Sequence, residues 1–335
     1  MSAPRVAIAS DAWNIPRYKY VGIHIYTEAM LTAARAAGVD AYPLPRRQFY
    51  GRRFGGLVGP FAYQLLARYG TEDIVHQATH YASPGVDIVT IHDILPFYGT
   101  RLADRFFRFQ TIYSMRQAKR IMVTTAWMGE EIARMLPWVG QKLRVIPYPF
   151  ETPPLDRLGP APYDALWVSR LAPNKNPALY LDLATAFPGK RFALRGSAPP
   201  AGGGEFADTI RASGPPNVTL LPLLSEEERN RLYRSVPIIV STSNYEGFHA
   251  PIMEGYIRGM KVVVPSIQPY VEIYSDRGPA PNVFWYEPKN PRSLAEAFRR
   301  ASETEARAPS EAIIGRVSHA TVGRQLKALY EEAAA

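Results

Sequence analysis

Two carboxylates bracket the start of a helix in the stretch Ser241-Thr-Ser-Asn-Tyr-Glu246-Gly247-Phe248-His249-Ala-Pro251-Ile-Met-Glu254. Pro237–Ser241 reads as a buried strand, an apolar run ending in small polar residues. Asn244–His249 is a glycine-containing loop, and Pro251 suits the first helical position, where its fixed φ fits and its missing N–H is not needed. That start places Glu254 in the first helical turn and Glu246 on the loop before it. Free backbone N–H groups at such a strand–loop–helix junction hold phosphate, and a carboxylate beside them suits ribose hydroxyls. The two chemistries together point to a nucleotide diphosphate. Arg170 and Lys175 supply a second half of the same chemistry. As bland surface cations at a helix start they would oppose the helix dipole. Against a diphosphate, arginine offers paired donors and lysine a compact charge, and both would stabilise the anion released when a bond to it breaks.

Those residues need strands and helices to position them, and the chain supplies a regular alternation. Strands are expected at Val6–Ser10, Asp73–Gln77, Ile88–Ile91, Ile121–Thr125 and Leu143–Ile146, and helices at Ile23–Ala37, Arg105–Lys119 and Met128–Leu136. The stretch Pro147–Pro162 holds six prolines, so neither a helix nor a central strand persists there. Strands then resume at Ala165–Ser169, Phe192–Arg195, Val218–Leu221, Lys261–Pro265 and Val283–Tyr286. Helices are expected at Pro177–Phe187, Glu226–Ser235, Arg292–Ser302 and Ala320–Glu332, with Ser225 and Glu228 forming a capping box. The expected fold class is α/β, two Rossmann-like domains with parallel sheets. The divisions are an N-terminal domain over 1–148, a linker over 149–162 and a C-terminal domain over 163–317, with the terminal helix 318–335 following.

Composition narrows the field. The 335 residues suffice for two cores, hydrophobic content is 47%, and the net charge of +9 favours acidic partners. With no cysteine there are no disulfides and no thiolate metal sites. No apolar run is long enough to span a membrane or to serve as a signal-peptide core, so the expected location is cytoplasmic. Two basic and aromatic segments, Arg46–Phe54 and Arg101–Phe109, suggest a peripheral contact with an anionic membrane at its inner face. His76 and His80 are spaced four apart, but in a strand-end context that spacing does not converge on a metal.

Four segments resemble, in order, the retaining glycosyltransferases of family 4. Glu246-Gly-Phe-x-x-Pro-x-x-Glu254 followed by Gly259 resembles their paired-glutamate motif, and Ser169-Arg170-Leu-Ala-Pro-Asn-Lys175 their donor-phosphate segment. Val89-Thr-Ile-His92-Asp93-Ile-Leu-Pro96 resembles the N-domain strand end of mannosyltransferase-like members, and Tyr20-Val-Gly22 the turn into the first helix. The resemblance implies the GT-B architecture, two domains facing across a cleft, with the last helix packing back on the N-domain. It implies a catalytic group of His92, Asp93 and Glu246, and a diphosphate held by Arg170, Lys175 and Gly22. The ribose and sugar would lie against Glu254, Gly247, Phe248 and His249. His92 also has an ordinary alternative, a strand-end histidine satisfied by a backbone carbonyl, and Asp93 another, capping the next segment. Lys19, Tyr20, His24 and His249 depart from the family pattern. At His249 a small residue is usual; a histidine there either touches the sugar or sits exposed on the loop.

The activity implied is sugar transfer, with retention, from a nucleotide-diphosphate donor to a hydroxyl of a glycan or lipid-linked acceptor. GDP-mannose is the first expected donor and a UDP-sugar the next. No Asp-x-Asp pair occurs, so no metal is expected, and no cofactor beyond the nucleotide sugar as co-substrate. A nucleotide-sugar epimerase or a phosphorylase on the same fold is the alternative within enzymes. A basic nucleic-acid-binding protein is the alternative of another class, although no nucleic-acid motif is present.

Overall fold

The computed structural model of the protein describes residues 5–10, 22–45, 73–79, 85–153, 155–156, 158–159, 161–197, 208, 210, 214–275 and 280–335. Lys19, Tyr20, His80 and the Arg46–Phe54 segment lie outside these residues. The chain divides into two compact units, Met1–Glu151 with Gly315–Ala335, and Thr152–Ile314.

The first unit is built on six parallel strands: β1 (Arg5–Ser10), β2 (Ala41–Pro45), β3 (Asp73–Gln77), β4 (Ile88–Ile91), β5 (Arg120–Val123) and β6 (Leu143–Val145). Their order across the sheet is β2-β1-β3-β4-β5-β6. Runs such as Val6-Ala-Ile-Ala and Ile88-Val-Thr-Ile are buried throughout, as parallel strands covered on both faces must be. The helices connecting them are α1 (Gly22–Ala36), α2 (Leu95–Tyr98), α3 (Leu102–Gln117) and α4 (Ala126–Met135). Gly38, at φ 79°, ends α1 in a conformation that glycine adopts without strain. Strand β2 was not expected from sequence, because Pro43 and Pro45 argue against a strand. Its place at the sheet edge removes the objection, since an edge leaves one side free of ladder donors.

The second unit repeats the plan with β7 (Ala165–Arg170), β8 (Phe192–Ser197), β9 (Val218–Leu220), β10 (Ile238–Val240), β11 (Lys261–Pro265) and β12 (Val283–Tyr286). Its parallel sheet runs β12-β11-β10-β7-β8-β9. The chain fills one half of this sheet outward from β7 and the other outward from β10. The two strands where the winding direction changes are therefore neighbours. In open α/β sheets, ligands bind beyond the carboxyl ends of such a pair. The helices are α5 (Pro177–Ala186), α6 (Glu226–Ser235), α7 (Ala250–Ile257), α8 (Tyr270–Ser275), α9 (Pro291–Glu303) and α10 (Glu311–Val317). Helix α6 opens with the expected capping box: Ser225 N–H donates to Glu228 Oε2 at 2.7 Å and Glu228 N–H to Ser225 Oγ at 3.2 Å.

The final helix, α11 (His319–Ala334), returns to the first unit. Val322, Leu326, Leu329 and Tyr330 share a core with Val6, Ile8, Tyr26 and Met30. Lys119 Nζ caps the far end of α11 by donating to the Ala333 carbonyl at 3.0 Å. His76, fully buried, ties β3 to this helix. Its Nδ1 lies 3.0 Å from Tyr330 Oη and its Nε2 2.8 Å from Thr90 Oγ1. Burial, aided by the nearby His92, pushes the His76 pKa down to about 3.

The folded state therefore refuses a proton that the unfolded chain accepts below about pH 6.5. His76 costs no stability above that pH and progressively more as pH falls toward 3. The expected loss approaches 1.4 kcal/mol per pH unit, roughly the limiting slope for one proton. Urea unfolding at pH 7, 6 and 5 measures it. His76→Gln is expected to flatten the dependence; an equal slope in both proteins contradicts this assignment.

Candidate donor site at the sheet switch point

The loop leaving β7 and the loop leaving β10 are stitched together at the carboxyl edge of the second sheet. After Arg170 the chain turns through a 3-10 turn, Pro173–Lys175, then passes Asn176 at φ 46° into α5. Asn244 N–H donates to the Asn174 carbonyl at 2.8 Å. Thr242 Oγ1 donates to the Lys175 carbonyl at 2.9 Å and accepts from Trp167 Nε1 at 2.9 Å. These bonds fix the backbone of Lys175 and turn its side chain inward. Lys175 is only 8% exposed, and its Nζ lies 2.7 Å from Glu246 Oε2, itself on a residue 5% exposed.

Glu246 is held on both oxygens. Oε2 takes the Lys175 ammonium, while Oε1 accepts from Ser243 Oγ at 2.6 Å and lies 3.2 Å from His249 Nδ1. Burial, the largest single influence, pushes its pKa up. The neighbouring His249 and Lys175, with the hydrogen bonds from Lys175 and Ser243, outweigh burial and hold the carboxyl below its usual range. His249 caps α7 with φ 66° and ψ 68°, a left-handed conformation uncommon for a residue with a side chain. It is kept there by three contacts: Nδ1 with Tyr270 Oη, Nδ1 with Glu246, and Nε2 with the Val168 carbonyl at 3.4 Å. Tyr270 in turn donates to Ser241 Oγ at 2.7 Å. Burial lowers the His249 pKa and Lys175 lowers it further, against the opposing pull of Glu246, so His249 is neutral at neutral pH.

Lys175, Glu246 and His249 are thus one buried network. Gly247 and Phe248, between Glu246 and His249 in the chain, are buried as well. One alternative and one expectation from sequence are corrected here. His249 does not sit exposed on the loop, because Tyr270 and Glu246 draw its side chain inward. Glu254 is not in the first turn of α7: the left-handed His249 starts the helix at Ala250, so Glu254 is its fifth residue. Half-buried, its carboxylate acts on Arg195 of β8 and Tyr233 of α6 and stays outside the Lys175 network. Arg170, exposed at the end of β7, makes no ion pair among the described residues.

His92, Asp93 and Gly22 belong to the first unit, at its own carboxyl edge. Both His92 ring nitrogens are engaged, Nδ1 with Tyr148 Oη and Nε2 with the Ala78 carbonyl, each at 2.7 Å. Asp93 Oδ1 accepts from Leu95 N–H at 3.2 Å and closes the turn before α2. Gly22 opens α1, and a Cβ there would meet no described atom within 4 Å, so packing does not demand glycine. Sequence reasoning passed over Ser243 and Tyr270. Ser243 lay in plain view, three residues before Glu246. Tyr270 carried no local signal, because it reaches the site only through the fold.

Two parallel six-stranded sheets in two units, with an ionic network at the switch point of the second, describe a doubly wound α/β architecture. Residues 158–315, nearly all of the second unit, match the sequence model of the family described as Glycosyl transferases group 1. That segment is a group 1 domain, and the chain is a glycosyltransferase. No curated protein matches the sequence. Among solved structures, Anabaena HepE in complex with UDP and glucose is similar with a TM-score of 0.74 at 14% identity, over 98% of this chain and 100% of that one. The catalytic domain of Arabidopsis thaliana starch synthase IV, bound to ADP and acarbose, gives 0.70 at 14% identity over 99% and 100%. Sucrose-phosphate synthase from Thermosynechococcus elongatus gives 0.69 at 16% identity over 98% of both chains. At these identities the likeness establishes the fold, GT-B.

Proposed function

We propose that the second unit binds a nucleotide-diphosphate sugar at the β7–β10 switch point, and that the chain transfers the sugar with retention to a hydroxyl acceptor. The observation that carries this is the buried Lys175–Glu246 pair, a cation held at the sheet edge where a diphosphate would sit. Lys175, with Arg170, takes up the charge that develops on the departing phosphate. Glu246, Gly247, Phe248 and His249 line the sugar side, and Glu254 serves the ribose. Both Glu246 oxygens are engaged, so it is poorly placed to attack the sugar as a nucleophile. This supports front-face departure and attack, with the leaving phosphate helping to deprotonate the acceptor and no metal required.

The first unit is the acceptor domain in this reading. The bonded state of His92 supports a positioning role there, not that of a free base, with Asp93 shaping the turn beside it. Nucleotides named with the similar structures are UDP and ADP, which favours UDP-sugars as the first donors to test, ahead of GDP-mannose. No helix of the described residues is long and apolar enough to cross a membrane. A peripheral contact is supported by α3, where Leu102 is 82% and Phe109 56% exposed beside Arg101 and Arg105.

A panel of UDP-, GDP- and ADP-sugars tests the reading, scored for slow donor hydrolysis with and without chelator. Turnover of one donor class, unchanged by chelator and reduced by Glu254→Ala, is expected. Donor interconversion without acceptor, or a need for free phosphate, would instead favour an epimerase or a phosphorylase. Repeating the transfer assay with anionic and with neutral vesicles separates a membrane-borne acceptor from a soluble one.

A further inference from the structure

We infer that occupation of the donor site by a nucleoside diphosphate protonates His249, so that each nucleotide bound carries a proton from solvent into the protein. This rests on the donor site proposed above and adds a linkage that the binding reading alone does not contain.

The oxygen atoms placed against the His249 ring are the starting point. Nδ1 faces Glu246 Oε1 at 3.2 Å and the Tyr270 hydroxyl oxygen. Tyr270 spends its own hydrogen on Ser241 Oγ at 2.7 Å, which leaves a lone pair toward Nδ1. Nε2 faces the Val168 carbonyl at 3.4 Å. Every neighbour of both nitrogens can accept, so the doubly protonated ring satisfies all of them. A neutral ring leaves one nitrogen lone pair facing an oxygen.

Two influences oppose that proton, burial and the Lys175 ammonium, while Glu246 favours it. Tyr270 from α8, Glu246 from the same loop, Lys175 from the β7–α5 loop and the Val168 carbonyl are the groups acting on this ring. Burial and the acceptors are fixed by the fold. The Lys175 charge is the variable one, because a bound diphosphate neutralises it and adds negative charge beside it. A single unit charge about 6 Å away in an effective dielectric of about 20 moves a pKa by roughly two units. That is enough to carry a histidine across neutral pH.

Calorimetric titration of the full chain with UDP, GDP and ADP, in Tris and in HEPES at pH 7.5, counts the protons taken up. This pH lies above the terminal phosphate ionisation near about 6, so the nucleotide contributes little. Uptake of roughly half to one proton per nucleotide is expected for the natural chain. In His249→Asn, whose side chain tolerates the left-handed backbone, the nucleotide that binds, at whatever affinity, is expected to bring no proton with it. The chain has six histidines, so imidazole NMR can follow His249 directly. Its midpoint should rise by on the order of two pH units at saturating nucleotide. Binding without proton uptake, uptake undiminished in His249→Asn, or an unmoved His249 midpoint overturns the linkage while leaving the donor site standing. Absence of binding by all three diphosphates overturns the donor site, and the linkage with it.

Discussion

Lys175→Ala is expected to lower donor turnover by a factor on the order of 10²–10³, the usual cost of losing one group that stabilises a developing anion. It is also expected to destabilise the second unit. The Lys175 and Glu246 side chains are 10% and 6% exposed, so removing the ammonium strands a buried carboxylate. Breaking such a pair typically costs roughly 3–5 kcal/mol, and Ser243 and His249, still beside Glu246, place this case near the lower figure. The two losses can be separated. Lys175→Ala combined with Glu246→Gln removes the stranded charge and should recover most of the stability. It should recover none of the turnover, because the cation that meets the phosphate is still missing. Urea unfolding and donor hydrolysis on the single and double variants provide both readings. A double variant that regains activity along with stability would reduce Lys175 to a structural role.

The second large effect concerns the return of α11 to the first unit. Gly323 lies where α11 meets α1, and a Cβ there would fall deep inside contact with the Ala33 carbonyl oxygen and 3.1 Å from the Ala37 Cβ. A backbone oxygen cannot rotate aside, so the helices must part. Tyr26, Met30, Val322 and Leu326, which share one core, would then lose their packing. Helix propensity predicts the opposite sign, since alanine is better than glycine inside a helix by about 1 kcal/mol. The substitution therefore discriminates. Gly323→Ala is expected to destabilise by roughly 2 kcal/mol, and Gly323→Leu by about 4 kcal/mol or more, enough to abolish the cooperative transition of the first unit. Unfolding followed by circular dichroism measures it. A Gly323→Ala protein as stable as the natural one would show that the two helices are free to separate.

Much of the fold was legible because a parallel sheet covered on both faces writes itself as short apolar runs. Ile88–Ile91, Asp73–Gln77 and Val283–Tyr286 stand where the sequence reading put them. Strand β2 was hidden because two prolines are tolerated only at a sheet edge, and edge position is a property of the assembled sheet. The short helices α2, α8 and α10 have too few turns to show a period. At the site, the residue types were readable but their burial was not. Glu246 is buried because Lys175, remote in sequence, meets it. His249 is buried because Tyr270 closes over it from α8, and its left-handed backbone moved the helix start and displaced Glu254 by one position. These are pairings across loops, and a linear pattern carries no trace of them.

The central claim is that Lys175 meets the donor's diphosphate at the β7–β10 edge. A crystal structure of the full chain with UDP, or with whichever nucleotide the donor panel selects, tests it most directly. Phosphate oxygens are expected within hydrogen-bonding distance of Lys175 Nζ, with Arg170 closing over them. A nucleotide seated elsewhere, with the Lys175–Glu246 pair untouched, would contradict it.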